Sequence, residues 1–154
     1  MKKIQSAKPF AEPSDSNHTD EQLIAQAQFT ANAFAKAYNR KHGVKLPIPV
    51  TIDWNLHLTK PKVAGMAHGL GFYISLNMAL LREYPREIIN RTIPHEIAHL
   101  AEMYEDNRLK RKSGDHGLVW ASMMASMAQP VLKYHGMNTK NAVASYKAYK
   151  KANK

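Results

Sequence analysis

The centre of this sequence is the stretch Ile93-Pro94-His95-Glu96-Ile97-Ala98-His99-Leu100. In an α-helix, residues four apart lie on the same face, so His95 and His99 can offer two imidazole nitrogens to one metal ion. Glu96 falls beside such an ion, where a carboxylate can take a proton from the attacking water molecule. This His-Glu-x-x-His pattern is typical of zinc hydrolases.

The alternative interpretation of His95 and His99 is a pair of structural histidines. The residues around them are apolar, so the helix is predicted to be mostly buried, and buried imidazoles need polar partners. A catalytic zinc site has three protein ligands and one open position, which requires a third ligand from elsewhere. The segment Gly114-Asp115-His116-Gly117-Leu118-Val119-Trp120 offers His116, and we predict Zn²⁺ bound by these three histidines.

The composition indicates one globular domain. The chain has 154 residues, with 44% hydrophobic and 22% charged residues. It has no cysteine, which excludes disulfides and a zinc finger or ribbon. No stretch approaches 18 apolar residues and no apolar segment follows Met1-Lys2-Lys3, so we expect neither a membrane span nor a signal peptide. The expected location is the cytoplasm, with nucleoid association allowed by the charge, and a monomer is the default.

The net charge of +10 predicts an attraction to polyanions, above all nucleic acid. A generic basic surface is the alternative, but the cations are clustered. One cluster lies between the two histidine segments and the other at the C-terminus. The candidate nucleic-acid-binding residues are Arg108, Lys110, Arg111, Lys112, Lys147, Lys150 and Lys151, with Lys140 and Lys154 nearby.

Periodicity and capping residues predict an α+β fold, with helices packed on a small antiparallel sheet of about three strands. A capping box at Thr19 and a glycine at position 43 bound a helix over 20–42. Apolar and polar residues alternate strictly over 50–58, which predicts the clearest strand. Shorter strands are predicted over 63–68 and 72–76.

The second half of the chain is predicted to be helical around the histidines. Asn77 caps a short helix, and Pro85 suits a first helical position. Pro94 interrupts the hydrogen bonding of a helix, so we predict a kink or a fresh helical start there, with the helix ending near Tyr104. Residues 105–114 are predicted to form a loop, and a Met-rich helix follows.

The predicted domain organisation has three parts. Residues 1–18 are a flexible lead-in, 19–137 form the domain, and 138–154 form a basic tail or a marginal helix.

The chain resembles the SprT-like metallopeptidase family, which includes bacterial SprT proteins and Spartan-type proteases. The resemblance covers about residues 20–137. It rests on the strand containing Trp54, on Ile74-Ser75-Leu76-Asn77 followed by Leu80-Leu81, and on the two histidine segments. Many bacterial relatives carry a cysteine zinc ribbon after the protease domain, whereas this cysteine-free sequence matches the protease domain alone.

The resemblance implies a zincin-like protease domain in which His95, His99 and His116 bind zinc and Glu96 is the general base. Spartan-type members cleave proteins crosslinked to DNA, which implies a DNA-bound protein as substrate. Independently of the resemblance, the oxyanion needs a further hydrogen-bond donor, and the sequence does not distinguish among Tyr104, Tyr134 and His135.

Two other interpretations stay open. In the first, the protein is a DNA-binding module with a structural zinc and no proteolysis. In the second, it is a cytoplasmic metalloprotease unrelated to DNA. Possible acceptors for the imidazole N–H groups are Asp115 and Glu102.

Overall fold

The computed structural model describes residues 18–112, 116–127, 129 and 135–154. Helices pack around a three-stranded sheet, which confirms the predicted α+β class. The predicted lead-in lies outside the described residues except for His18. Among the helices described, none combines the length and the apolar character needed to cross a membrane.

The first helix, α1 (Asp20–His42), has the limits predicted from its caps. The Thr19 hydroxyl accepts a hydrogen bond from the backbone N–H of Gln22, whose side chain in turn accepts one from the backbone N–H of Thr19. Gly43 ends the helix in the left-handed conformation at φ 69°. The buried face carries residues spaced by three or four positions: Leu23, Ala27, Ala31, Ala35 and Tyr38.

The sheet is mixed, so the predicted antiparallel sheet is wrong in one of its two pairings. Its strands are β1 (Ile52–Asp53), β2 (Gly65–His68) and β3 (Tyr73–Leu76) in the order β1-β3-β2. The β2–β3 hairpin is antiparallel and places β3 between the other two strands, parallel to β1. Strand β2 is therefore at an edge of the sheet.

Of the strand predicted over 50–58, only Ile52–Asp53 is observed, so the prediction is wrong at 50–51 and beyond Asp53. The Asp53 carboxylate accepts a hydrogen bond from the backbone N–H of Asn55, a local bond that competes with strand pairing. The chain then forms a 3₁₀ turn (Leu56–Leu58) with Leu56 buried. Alternating apolar residues alone do not distinguish this turn from a continuing strand.

A nearly continuous helical run leads to the histidines. After α2 (Met78–Glu83), capped by Asn77, come α3 (Pro85–Glu87), a π-helical segment (Ile88–Thr92) and α4 (Ile93–Leu109).

The π-helical segment lies immediately before Pro94, the second residue of α4. The Ile93 N–H donates to the carbonyl of Ile88, five residues back. A proline ring in an uninterrupted α-helix meets the carbonyl four residues earlier, here that of Asn90, and the π turn changes this spacing. The predicted discontinuity near Pro94 is therefore observed as a change of hydrogen-bonding pattern, whereas the backbone stays helical through Thr92 and Ile93 and does not start a separate helix.

Helix α4 continues one turn further than predicted. The loop predicted from 105 is wrong up to Leu109, the last residue of α4, which Lys110 caps in the left-handed conformation at φ 52°. Glu105 is buried and its carboxylate accepts two hydrogen bonds from Arg108. Pairs three residues apart on a helix stabilise its last turn.

Two further helices complete the fold: α5 (Leu118–Ser126) and α6 (Lys140–Ala152). Of the two forms predicted for 138–154, the helix is observed. It packs against the 3₁₀ turn and α2, with Ala142 buried and the Asn141 side chain donating to Glu83.

The core lies between α1, α4, α5 and the inner face of the sheet. It contains large, fully buried side chains from each of these elements, and each contributes roughly 1.5–3 kcal/mol by leaving water. Examples are Leu23, Ile74, Ile97, Leu100 and Trp120.

Candidate metal centre and cleft

His95 and His99 lie on one face of the first turns of α4, as their spacing predicts. Their ring centroids are 5.0 Å apart. His99 is only 6% exposed and His95 is half-buried. The apolar residues around them face the core, so packing of α4 fixes the direction in which both rings point.

His116 completes the cluster from the segment just before α5. Its Nε2 lies 2.9 Å from Nε2 of His95, and one nitrogen from each of the three histidines lies within 4.8 Å of the others. Its backbone is left-handed at φ 57°, a conformation that is uncommon for a residue other than glycine. Such a backbone is retained where its surroundings determine it, and this is typical of functional sites.

Trp120 packs against all three imidazoles. Its ring centroid lies 4.8 Å from that of His95, 5.5 Å from that of His99 and 4.7 Å from that of His116. Its Nε1–H donates to the backbone carbonyl of His95 at 3.3 Å. The tryptophan therefore ties the third histidine to α4, which explains the spacing of the His-Gly-x-x-Trp segment.

Glu102 fills the role predicted for an imidazole acceptor. Its Oε1 lies 3.3 Å from Nδ1 of His99, and both side chains are buried. A carboxylate at Nδ1 holds the hydrogen on that nitrogen and directs the Nε2 lone pair toward the cluster. The other predicted acceptor, Asp115, lies outside the described residues.

These observations fit a metal ion. Zn–N bonds of about 2.0–2.1 Å keep two ligand nitrogens within about 4 Å of each other, and the three imidazoles nearly satisfy this limit. Three neutral imidazoles with one open position are a donor set that zinc prefers in catalytic sites. The cluster thus supports a metal site rather than isolated structural histidines.

Glu96 lies beside the cluster. It is 7% exposed, and its Oε2 is 4.0 Å from Nε2 of His95. It belongs to a cleft of about 430 Å³ that the three histidines also line. A carboxylate next to the ligands can therefore reach a water molecule or a substrate in the same cleft.

Residues four apart along the helical run form one wall of this cleft: Glu87, Arg91, His95, His99 and Met103. The opposite wall is formed by residues 62–67, which include most of β2. Sequence reasoning missed Glu87 and Arg91, although extending the four-residue spacing back from His95 identifies them. The same spacing counted back from Glu96 identifies Thr92, whereas Gly65 carries no such sequence signal.

The three predicted oxyanion donors lie in different surroundings. Tyr104 packs against Phe72, with ring centroids 6.0 Å apart, and is not among the cleft-lining residues. His135 does line the cleft, but its Nδ1 accepts from the Met137 N–H and its Nε2 therefore donates to the Lys62 carbonyl. Tyr134 lies outside the described residues. The identity of the donor stays a prediction.

The two basic clusters lie on different elements. Arg108 pairs with Glu105, and Arg111 pairs with Asp106, so two of the four cations near the end of α4 have an acidic partner. In contrast, residues 140–154 contain five lysines and no acidic residue. Lys147, Lys150, Lys151 and Lys154 are exposed and lie three or four residues apart along α6 and its end.

Glu87→Gln is expected to stabilise the protein at pH 7. Burial raises the pKa of the Glu87 carboxyl, and the Arg91 guanidinium 3.7 Å away offsets only part of this effect. A raised folded-state pKa means that stability falls as pH rises from the unfolded pKa, about 4.3, through the folded pKa. The gain should be below roughly 1 kcal/mol, because the pair with Arg91 is lost as well.

Urea denaturation at pH 7 and at about pH 3.5 measures this effect. The free energy of unfolding of the variant should exceed that of the wild type at pH 7 and match it at the lower pH, where the wild-type Glu87 carboxyl is mostly protonated in both the folded and the unfolded protein. Glu21→Gln, which changes an exposed carboxylate of α1, is the control. An equal or lower free energy of unfolding for Glu87→Gln at pH 7 would contradict the prediction.

The family comparison agrees with the geometry. The model of the SprT-like family matches residues 31–144, which include all three histidines, Glu96 and Trp120. The chain belongs to the SprT-like family. This membership suggests a metalloprotease-type domain and a possible peptidase.

Several bacterial proteins named Protein SprT are similar to this member of the family. The protein of Proteus mirabilis is 33% identical over 128 residues, 82% of this chain and 71% of the relative. Those of Actinobacillus succinogenes and Vibrio parahaemolyticus are 34% and 36% identical over 88 and 81 residues, which are 56% and 53% of this chain. These two matches span 49% and 44% of the relatives, so about half of their length. No solved structure matches.

Proposed function

We propose that this SprT-like protein is a zinc-dependent peptidase. The observation that supports the proposal best is the convergence of three histidine nitrogens within 4.8 Å, with the Glu96 carboxylate beside them in an open cleft. A purely structural zinc site is closed by four protein ligands, whereas three histidines leave a position for a reactant.

Each residue has a specific task in this proposal. His95, His99 and His116 would hold the zinc, which when bound polarises the peptide carbonyl and makes water more acidic. Glu96 takes the proton from the attacking water molecule and delivers it to the leaving amine. Glu102 orients His99, and Trp120 keeps the rings of the three ligands packed together.

The shape of the cleft supports an extended peptide as substrate. Strand β2 forms one wall of the cleft and is an edge strand, with β3 paired on its other side. A peptide can add to such an edge through main-chain hydrogen bonds, largely independently of its side chains. This mode of binding would place a backbone carbonyl of the substrate between β2 and the histidines.

The proposal is tested with purified protein and an unfolded protein substrate such as casein. We expect cleavage that a chelator abolishes and that one equivalent of zinc restores, with one zinc per chain by elemental analysis. Cleavage that persists after complete removal of metal would overturn the proposal. Zinc bound at one equivalent without cleavage of any tested protein would favour a structural zinc.

We further propose that the substrate is a protein bound to DNA. The support is the net charge of +10 and the exposed lysines of α6, where Tyr149 is also 39% exposed. Lysines bind phosphates regardless of sequence, and tyrosines can stack on bases of single-stranded DNA. Because the cations at the end of α4 are partly neutralised by Glu105 and Asp106, α6 is the stronger candidate.

The triple substitution of Lys147, Lys150 and Lys151 by Gln tests the DNA proposal. We expect weaker binding to single- and double-stranded DNA in fluorescence anisotropy. The slope of the logarithm of the binding constant against the logarithm of salt concentration should be smaller by roughly one for each lysine that contacts a phosphate. The control removes the same charge from three other exposed lysines: Lys36, Lys45 and Lys60.

The same variants separate a DNA-directed protease from one unrelated to DNA. In the proposal, DNA stimulates cleavage of a DNA-binding protein by the wild type and by the control, and less by the α6 variant. Cleavage without DNA stimulation, together with no salt-sensitive DNA binding, would favour a cytoplasmic protease unrelated to DNA.

A further inference from the structure

Gly65, the first residue of β2, lies against the helical run at Glu96. A Cβ atom at position 65 would be 2.9 Å from Cγ2 of Thr92, 3.1 Å from Cγ of Glu96 and 3.3 Å from Cδ2 of Leu76. The first distance is shorter than real Cβ contacts, and the second is tighter than most. Any side chain larger than hydrogen would therefore force a neighbour to move.

The three neighbours differ in their freedom to move. Leu76 is fully buried in the core, and Thr92 is β-branched, buried and part of the helical run, which restricts its side-chain rotamers. Glu96 borders the cleft, and its unbranched side chain turns about three bonds, so it has more rotamers than the β-branched Thr92. A substitution at Gly65 would therefore displace the Glu96 carboxylate most readily.

We propose that Gly65 is a positioning residue that holds Glu96 in its catalytic orientation. The proposal rests on the proposed function of Glu96 as general base. Thr92 and Glu96 are four residues apart and adjacent on one helix face, and the backbone of Gly65 closes over both. The absence of a side chain lets β2 approach closely enough to restrict the Glu96 methylene groups.

Gly69, in the turn that follows β2, provides a matched control because it faces the same helix, α4. A Cβ at Gly69 would lie 3.0 Å from Sδ of Met103, the far part of a flexible side chain. Neither glycine has a left-handed backbone, so alanine is compatible with the conformation at both positions. Gly65→Ala therefore presses on Thr92 and Glu96, whereas Gly69→Ala presses on Met103.

The test compares Gly65→Ala with Gly69→Ala after both have been shown to contain one zinc per chain. We expect kcat of Gly65→Ala to fall roughly 10- to 100-fold, the size typical of a catalytic group that is misplaced by about 1 Å. Its KM should stay within about twofold, since the rest of β2 is unchanged. Gly69→Ala should keep the kcat of the wild type.

The double variant Gly65→Ala/Thr92→Ser separates positioning from general damage. Serine lacks Cγ2, which removes the closest contact and lets the alanine methyl move away from Glu96. Relative to Thr92→Ser alone, the double variant should recover most of the lost kcat. If Gly65→Ala does not accumulate as folded protein, the double variant is compared with Thr92→Ser alone. A smaller loss of kcat is then expected, because the alanine Cβ still lies close to Cγ of Glu96, 3.1 Å in the unrelaxed structure.

Crystal structures of the zinc-loaded wild type and Gly65→Ala give a readout that is independent of turnover. A rotated Glu96 side chain in the variant supports the proposal, even where the wild type cleaves none of the tested substrates and the proposed function itself fails. Superimposable Glu96 side chains, or an unchanged kcat in Gly65→Ala, would overturn it.

Discussion

Glu96→Gln is expected to abolish peptide cleavage while the protein keeps its zinc. Glutamine has nearly the same size and fills the same space beside His95, but its amide cannot accept a proton from water at neutral pH. General base catalysis contributes about 10²–10⁴-fold to rate, so kcat should fall by at least about 100-fold. The three histidines are unchanged, so the zinc content should remain at one per chain.

The control for this variant is Glu105→Gln on the same helix. Glu105 is also a buried carboxylate, but it pairs with Arg108 away from the cleft. Its loss should lower stability without changing kcat of the folded protein. Undiminished cleavage by Glu96→Gln would refute the proposed mechanism, whereas wild-type protein that binds zinc and cleaves nothing would support the structural-zinc interpretation.

The clustering of the three histidines was easier to predict from the sequence than the order of the strands. The spacing of His95, Glu96 and His99 is local, and the geometry of one helix converts it directly into a face. The third histidine of the cluster, His116, was predicted from a second motif. Its approach to the first two depends on Trp120, whose packing is a tertiary property.

The strand order and the length of β1 were not predictable from the pattern. Alternation over 50–58 indicates that one side of the segment is buried, but it does not specify the partner. The Asp53–Asn55 hydrogen bond ends the strand early, and β3 enters between β1 and β2. The resulting edge position of β2, on which the cleft depends, is therefore visible only in the folded chain.

Local sequence signals also gave an incomplete account of α4, the helix that carries His95 and His99. Pro94 indicated a discontinuity, but not the π-helical segment that provides it. The polar residues after Tyr104 indicated a loop, yet the pairing of Glu105 with Arg108 accompanies another helical turn. In both cases hydrogen bonds between residues three to five positions apart overrode the simpler interpretation of composition.

The largest combined effect on metal binding and stability is expected from His116→Ala. The variant loses one of three ligands and should bind zinc at least about 100-fold more weakly, since loss of a hydrogen-bonding partner of a ligand alone costs about 10–100-fold. A ligand that binds only the folded state stabilises it by about 2.7 kcal/mol at a free concentration 100 times its Kd. At that zinc concentration, the free energy of unfolding of the wild type should rise by this amount, and that of the variant should hardly change.

Measurements on the metal-free proteins show whether His116→Ala loses stability because a zinc ligand is missing or because alanine strains the backbone at position 116. Position 116 has φ 57°, which disfavours alanine as well as histidine, whereas glycine adopts this conformation readily. His116→Gly should therefore be at least as stable as His116→Ala without zinc, and equally unresponsive to zinc.

His135→Ala is the matched control for His116→Ala, because it removes another cleft histidine that lies outside the cluster. It loses the hydrogen bonds to Lys62 and Met137 and should be less stable with and without zinc by the same amount. The increase in the free energy of unfolding on adding zinc, measured by urea denaturation, therefore reports only whether the residue is a zinc ligand. An increment in His116→Ala equal to that of the wild type would exclude His116 as a ligand and leave the cluster without its third nitrogen.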